Sequence, residues 1–322
     1  MTATTTLVAD VGGTNIRLAL CKNGVLDADT VERFANDSLS SIAEGLSKYI
    51  ALKAPTAIEA VAVAVAGPVS DGEGRLTNRE WSISQEELRA ITKADVAFVI
   101  NDLQSQAYGI QALSPSDVSW VRGRAPLKTN KTQLVINVGT GFNIAPIFQT
   151  SPNQLVAASE AGHISLPVAT SQDLALSTAL KKAHGFATIE DVLSGRGVEQ
   201  VFQWLNKGEV EGQSLSGRDV LEAAQRNEPL ARETVGIMVR CFATVAGDFC
   251  LSHLPFGGVY LVGGVARALV PYFENHDFEK HFTDKGRFSE FLTDFPIGLV
   301  KNDIAGLYGA CAFLSQQTKI TA

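Results

Sequence analysis

Three short segments carry residue types that could do chemistry together. The first, Asp10-Val11-Gly12-Gly13-Thr14, sets a carboxylate at the end of an apolar run, with two glycines and a hydroxyl behind it. An acid so placed can hold Mg²⁺, usually through the ion's waters. Paired glycines let the backbone approach a ligand closely and aim N–H groups at phosphate oxygens, and the Thr14 hydroxyl adds a donor. Taken alone, the segment is equally a plain Gly-Gly turn between two strands. The second segment, Gly139-Thr140-Gly141, repeats small residues and a hydroxyl behind another apolar run, Gln133–Val138. The third, Asn101-Asp102, puts an amide and a carboxylate at the end of a strand-like stretch. Asp102 could accept a proton from a hydroxyl attacking phosphorus while Asn101 holds a neighbouring hydroxyl. Helix N-capping stays open for the same dipeptide. An Asp of ordinary pKa is already ionised at neutral pH, so Asp102 is expected to contribute positioning as much as basicity.

Two common nucleotide-binding devices are excluded. The chain has no GxxxxGK[ST] and is no P-loop enzyme. The turn at Gly139 has Ile144 where the dinucleotide fingerprint needs a third glycine. Phosphate would therefore be held by paired hairpins rather than by a helix-capping loop. Glu160 and His163 flank Gly162 in a polar stretch and supply both donors and acceptors, as a ring of hydroxyls requires. An exposed loop pair is the alternative for them. For Glu190 the alternative is an acidic residue favoured at a helix start. His184, His253, His276 and His281 show no partner pattern and read as packing or surface residues.

The elements that must position these residues follow one grammar. Thr5–Asp10, Ala60–Ala66, Gln133–Val138 and Val259–Val262 are β-branched apolar runs, and each leads into a glycine-bearing turn. Ile16–Cys21 and Ile144–Phe148 return as second strands, so a duplicated strand–turn–strand architecture is expected. Between the strands, Ser38 is expected to cap a helix bearing Leu39, Ile42, Leu46 and Ile50 on one face. Ser84 and Glu87 form a capping box, and Leu230–Leu254 is the longest helical candidate. Alternating strands and helices give an α/β class. Polar Ser114–Ser119 is the expected lobe boundary, since a 322-residue chain tends to divide in two.

With 45% hydrophobic and 19% charged residues, the chain is not a disordered one. A net charge of −7 argues against nucleic acid as a partner. The longest strictly apolar stretch, Ala60–Ala66, is far below the roughly 18 residues of a membrane span. No charged-then-apolar signal segment opens the sequence, so neither a membrane nor export is expected. Cys21, Cys241, Cys250 and Cys311 are too dispersed for a zinc ribbon, and free thiols in a reducing cytoplasm are expected.

Asp10–Ala19 resembles the first phosphate motif of bacterial hexose kinases in the actin-like ATPase superfamily. Asn101-Asp102, Glu160-Ala161-Gly162-His163, Glu190–Gly195 and Gly257–Gly264 occur in that family's order and spacing. Asp284–Phe288 and Asn302-Asp303 ahead of Gly306–Ala310 are similar to the bacterial glucokinase branch in particular, and the similarity runs from Leu7 to about Leu314. The resemblance implies two lobes of ribonuclease H-like fold, with central mixed sheets flanked by helices and an interlobe cleft. It implies a small lobe of residues 1–111 plus 302–322, and a large lobe of residues 112–301 carrying a homodimer interface. It further implies phosphorylation of D-glucose by ATP and Mg²⁺, with Asp102 as base on the 6-hydroxyl. Asn78, Asn101, Glu160, His163 and Glu190 would bind the sugar. Ala9–Thr14 (Ala9, Asp10, Val11, Gly12, Gly13, Thr14), Gly139, Thr140, Gly141, Gly263 and Gly264 would bind the nucleotide, and Asp10 the metal through water.

Two departures from the pattern stand out. Asn143 occupies a place where the family has glycine; Asn tolerates a left-handed backbone, but its side chain could crowd the phosphate and weaken the use of ATP. The cysteine-rich zinc signature of the related repressor/kinase branch is absent after His163. Another hexose, an amino sugar, GTP or polyphosphate as donor, and a sugar sensor with reduced turnover are the alternatives.

Overall fold

A computed structural model describes residues 4–126, 131–150, 153–210, 215–302 and 304–318. The chain divides into two compact units, one of residues Met1–Asp117, Thr150–Ala158 and Asn302–Ala322, the other of Val118–Gln149 and Ser159–Lys301.

In the first unit strand Thr5–Val11 is central. It pairs antiparallel with Asn15–Lys22 and parallel with Ala60–Val65, which in turn pairs parallel with Val96–Asn101. All six residues of Ala60–Val65 are buried, as a strand covered on both faces requires. Register sets Asp10 beside Ala64 and Val65 beside Asn101, so Asp10 and Asn101 reach the carboxyl end of the same parallel strands. That end is where open α/β sheets present their ligand groups.

The second unit repeats this order. Gln133–Val138 pairs antiparallel with Phe142–Thr150 and parallel with Val259–Val262, and the latter pairs parallel with Ile297–Val300. Gly139 and Gly263 follow the carboxyl ends of two of these strands. The duplication expected from the sequence is thus present in strand order and sense as well as in hairpin chemistry.

Helices close the layers. Ser84 and Glu87 exchange both bonds of the capping box at the start of helix Gln85–Thr92. The helix expected from Ser38 starts later: Asn36–Ser38 form a 3₁₀ turn, and Ser41 caps Ile42–Lys53 by accepting from the Glu44 N–H. Leu39 is buried but precedes the helix, so its apolarity belongs to the chain entering the core. Helix Pro229–His253 is, among the described residues, long and apolar enough to cross a membrane, yet Met238, Val239, Phe242, Val245 and Ala246 bury it in the second unit's core. Helix Ala305–Thr318 packs against helix Asp102–Gly109 in the first unit. A Cβ on Gly309 would lie 1.5 Å from the Ser105 carbonyl oxygen, and the Ser105 hydroxyl donates to Gly306 O at 2.7 Å. All four cysteines are free, three of them buried.

Candidate active site

In the first unit the Asp10 turn is held from below and left open above. Gly12 N–H closes the turn on Asn15 O at 3.0 Å, and Asn36 Nδ2 donates to Gly12 O at 2.9 Å. No described backbone group takes the Gly13 N–H. Neither glycine has positive φ. A Cβ on Gly13 would meet only Asn78 Nδ2, at 3.3 Å, so neither the backbone nor the packing of the unit requires glycine here. The same distance places Asn78 at the turn's edge. Asp10 is buried and its Oδ2 accepts from Arg17 at 3.3 Å; burial raises its pKa and the guanidinium partly offsets the rise. Helix Ala305–Thr318 has Gly306 where a side chain would press on this carboxylate, with its Cβ 3.0 Å from Asp10 Cγ.

Asn101 caps helix Asp102–Gly109. Its Oδ1 accepts from Leu103 and Gln104 N–H at 3.0 and 3.3 Å, and its Nδ2 donates to Gly67 O at 3.1 Å. The N-capping alternative is thus present, and the cap together with the Gly67 bond leaves Asn101 one amide N–H free for a ligand. Asp102 Oδ1 accepts from Leu103 N–H at 2.9 Å. Burial pushes the Asp102 carboxyl up to about 7, and the nearby Asp10 carboxylate adds to the rise. The expectation of an ordinary carboxylate is therefore corrected: burial brings the Asp102 carboxyl close to neutral pH.

The second unit's hairpin is filled at Gly141 by the Glu190 side chain. Gly139 N–H donates to Gly141 O at 2.9 Å, and Gly195 N–H donates to Gly139 O at 2.8 Å. Glu190 Oε2 accepts from Phe142 N–H at 2.9 Å and lies 2.6 Å from where a Gly141 Cβ would be. Gly263 has φ +99° and abuts Val138 O, which its Cβ would reach at 2.3 Å; no other residue fits there. Glu190 itself is not in a helix's first turn, because the next helix is Gly195–Lys207, capped by Ser194. Its N–H donates to Gly162 O at 2.9 Å, which ties it to the 3₁₀ turn Ala161–His163. Glu160 and His163 are exposed, and neither side chain has a hydrogen-bond partner among the described residues, so both are open to a ligand.

Asn143 does not do what its place in the pattern suggested. Its backbone lies in strand Phe142–Thr150 opposite Asn137, with no left-handed φ. Its side chain bonds Ser159, Ala161 and Ile144, so the amide is committed to the Glu160–His163 turn.

A cavity of about 480 Å³ in this unit is lined by Gly139, Thr140 and Gly264 together with Gly217, Leu221 and Gln225. Helix Gly217–Gln225 forms one wall and was not singled out from sequence; a short amphipathic helix carries no nucleotide signal of its own. The Arg196 guanidinium is 3.8 Å from Glu190 and 3.7 Å from Asp191, one residue after the Gly195 that bonds the hairpin, a pairing that no local motif displays.

Two sheets of one order, each opening on a glycine hairpin, with a buried acid at a strand end, define an α/β fold of the actin-like ATPase class. Residues 7–317 match the Glucokinase family. A glucokinase of Xanthomonas campestris is 30% identical over 318 residues, covering 95% of this chain and 94% of that protein. The crystal structure of a glucokinase from an Antarctic psychrotroph superposes with a TM-score of 0.83 at 28% identity, over 97% of this chain and 99% of that one. That of Balamuthia mandrillaris glucokinase in complex with glucose gives 0.78 at 21% identity, over 96% and 93%, and speaks for the fold alone. The chain belongs to the Glucokinase family.

Proposed function

We infer that the protein transfers the γ-phosphoryl group of ATP to the 6-hydroxyl of D-glucose. The observation that carries this reading is Asp102: a carboxyl at a strand end whose pKa burial sets at about 7. Its carboxylate takes the proton of the 6-hydroxyl as that oxygen bonds to phosphorus and the bond to the β-phosphate oxygen breaks, releasing ADP. Asn101 fixes the backbone that carries Asp102 and offers its remaining N–H. Glu160, His163 and Glu190 hold the other ring hydroxyls, with Asn78 at the edge. A sugar lacking a hydroxyl would leave these groups unpaired, which is the basis of selectivity.

Gly12, Gly13 and Thr14 of the open turn receive phosphate, with Ala9 and Val11 building the strand end beneath them. Gly139, Thr140, Gly263 and Gly264 border the nucleoside, which the cavity beside Leu221 fits in volume. No cluster of three metal-ligating side chains exists among the described residues, and Asp10 is a single carboxylate already braced by Arg17. That donor set fits a Mg²⁺ carried in on the nucleotide and touched through water, not a protein cage. When bound, the ion would neutralise phosphate charge and hold the phosphates in line. The free thiols fit the cytoplasm, and a homodimer is the proposed assembly, which light scattering checks.

A coupled ADP-release assay tests the reading: a panel of hexoses and amino sugars with ATP, then GTP and polyphosphate with the best sugar. Glucose with ATP is expected to give the highest kcat/KM. Turnover no higher with any hexose than without sugar would refute it.

A further inference from the structure

Asn143 makes more ordered contacts than its position in a phosphate motif needs. Its Oδ1 accepts from Ile144 N–H at 2.8 Å and from Ala161 N–H at 3.1 Å, and its Nδ2 donates to Ser159 O. The amide orientation is fixed by chemistry, since the oxygen faces two N–H groups and the nitrogen faces a carbonyl. Ser159 and Ala161 flank Glu160, and His163 N–H closes the same turn on Glu160 O at 3.1 Å. The other side of the turn is held by Glu190 N–H on Gly162 O, while Glu190 Oε2 holds Phe142 N–H, next to Asn143. The Phe142–Asn143 dipeptide is thus the point where the strand leaving the Gly139–Gly141 hairpin grips the Glu160–His163 turn from both flanks. A glycine in place of Asn143 would keep the strand, whose backbone is extended there, and would lose every side-chain bond to the turn.

We propose that Asn143 is a positioning residue for the acceptor sugar, tying the turn that presents Glu160 and His163 to the strand that leaves the phosphate hairpin. It never touches the reacting atoms. Its role is to hold the Glu160 carboxylate and the His163 ring at one spacing from the sugar ring, where a displacement of about 1 Å is felt strongly. The proposal rests on the reading of Glu160 and His163 as sugar ligands.

The test compares N143G with E160A and H163A in the full-length protein, measuring KM for glucose, KM for ATP, kcat and melting temperature, with glucose binding by calorimetry. N143G is expected to raise KM and Kd for glucose about 10-fold, with KM for ATP within about 2-fold of wild type. It should also narrow the ratio of kcat/KM between glucose and 2-deoxyglucose, since a loosened turn discriminates less. A merely structural role would lower the melting temperature and the active fraction, and so kcat, without moving either KM; that result overturns the proposal. So does an unchanged KM for glucose in N143G while E160A and H163A raise it. If E160A and H163A leave KM for glucose untouched, the sugar reading of the turn falls, and the role of Asn143 falls with it.

Discussion

The two glycine turns occupy equivalent places in two equivalent sheets, yet one is open and the other filled. At Gly13 a side chain would meet little but the Asn78 amide, whereas at Gly141 it would strike Glu190 and at Gly263 the Val138 carbonyl. The same residue type thus stands in two surroundings: beside open space at Gly13, and beside atoms already in place at Gly141 and Gly263. The open turn lies in the unit that carries Asp10 and Asp102, whose carboxyls are both raised by burial. The filled turn lies in the unit whose groups fix one another, through Glu190, Asn143 and Gly195.

The contrast has consequences that can be measured. Asp102→Ala is expected to lower kcat by roughly 10²–10⁴ with the fold intact by circular dichroism, the largest effect of all; near-wild-type turnover would remove Asp102 as the base. Gly263→Ala and Gly141→Ala should both cost stability. The first forces a strained backbone and is expected to lose about 2–4 kcal/mol in urea unfolding. The second displaces Glu190 from Phe142 and is expected to lose about 1 kcal/mol while raising KM for glucose. Gly13→Ala should do the reverse, raising KM for ATP about 10-fold with a melting temperature within about 2 °C of wild type. If Gly13→Ala unfolds the protein as readily as Gly141→Ala, the distinction between open and filled turns is wrong.

Acidity gives a smaller effect with a defined sign. In its proposed role as base Asp102 acts ionised, and its folded value near 7 predicts that kcat/KM climbs as pH rises through about 7 and levels off above it. The fold responds in the opposite direction. A carboxyl raised from 3.8 to about 7 keeps its proton in the folded state after the unfolded chain has lost it, so that contribution is present below pH 4 and lost as pH rises toward 7. Asp102→Asn should therefore be inactive but more stable than wild type at pH 8, by about 1–2 kcal/mol after allowance for solvent screening. A variant less stable at pH 8 would show that burial does not tax this carboxylate.

The sequence displays the strand ends clearly, because β-branched runs meeting glycine mark a turn whatever surrounds them. The Ser84–Glu87 box and the helix Pro229–His253 are equally plain, since their signals are local. What could not be read is where side chains go once the chain is folded. Asn143 reads in sequence as a missing glycine, whereas in the fold its amide is bonded to Ser159 and Ala161. Asp102 reads as any aspartate, because burial and the Asp10 carboxylate that raise it belong to the folded chain and not to its neighbours in sequence. Leu221 and Gln225 became a cavity wall only through the placement of their helix beside Thr140 and Gly264.

The packing of Gly306 and Gly309 against Asp10 and Ser105 also dates the moment of competence. Ser105 and Gly306 are 201 residues apart, so at ribosomal rates of 5–20 residues per second the helix that backs the two acids is made some 10–40 s after Asp102. During that interval a nascent chain lacks the helix whose Gly306 lies against Asp10 and whose Gly309 lies against Ser105. A ribosome stalled before Ala305–Thr318 should therefore display a first unit without part of its core, since Leu307, Ala310 and Leu314 pack there with Val8, Ala60 and Ala62.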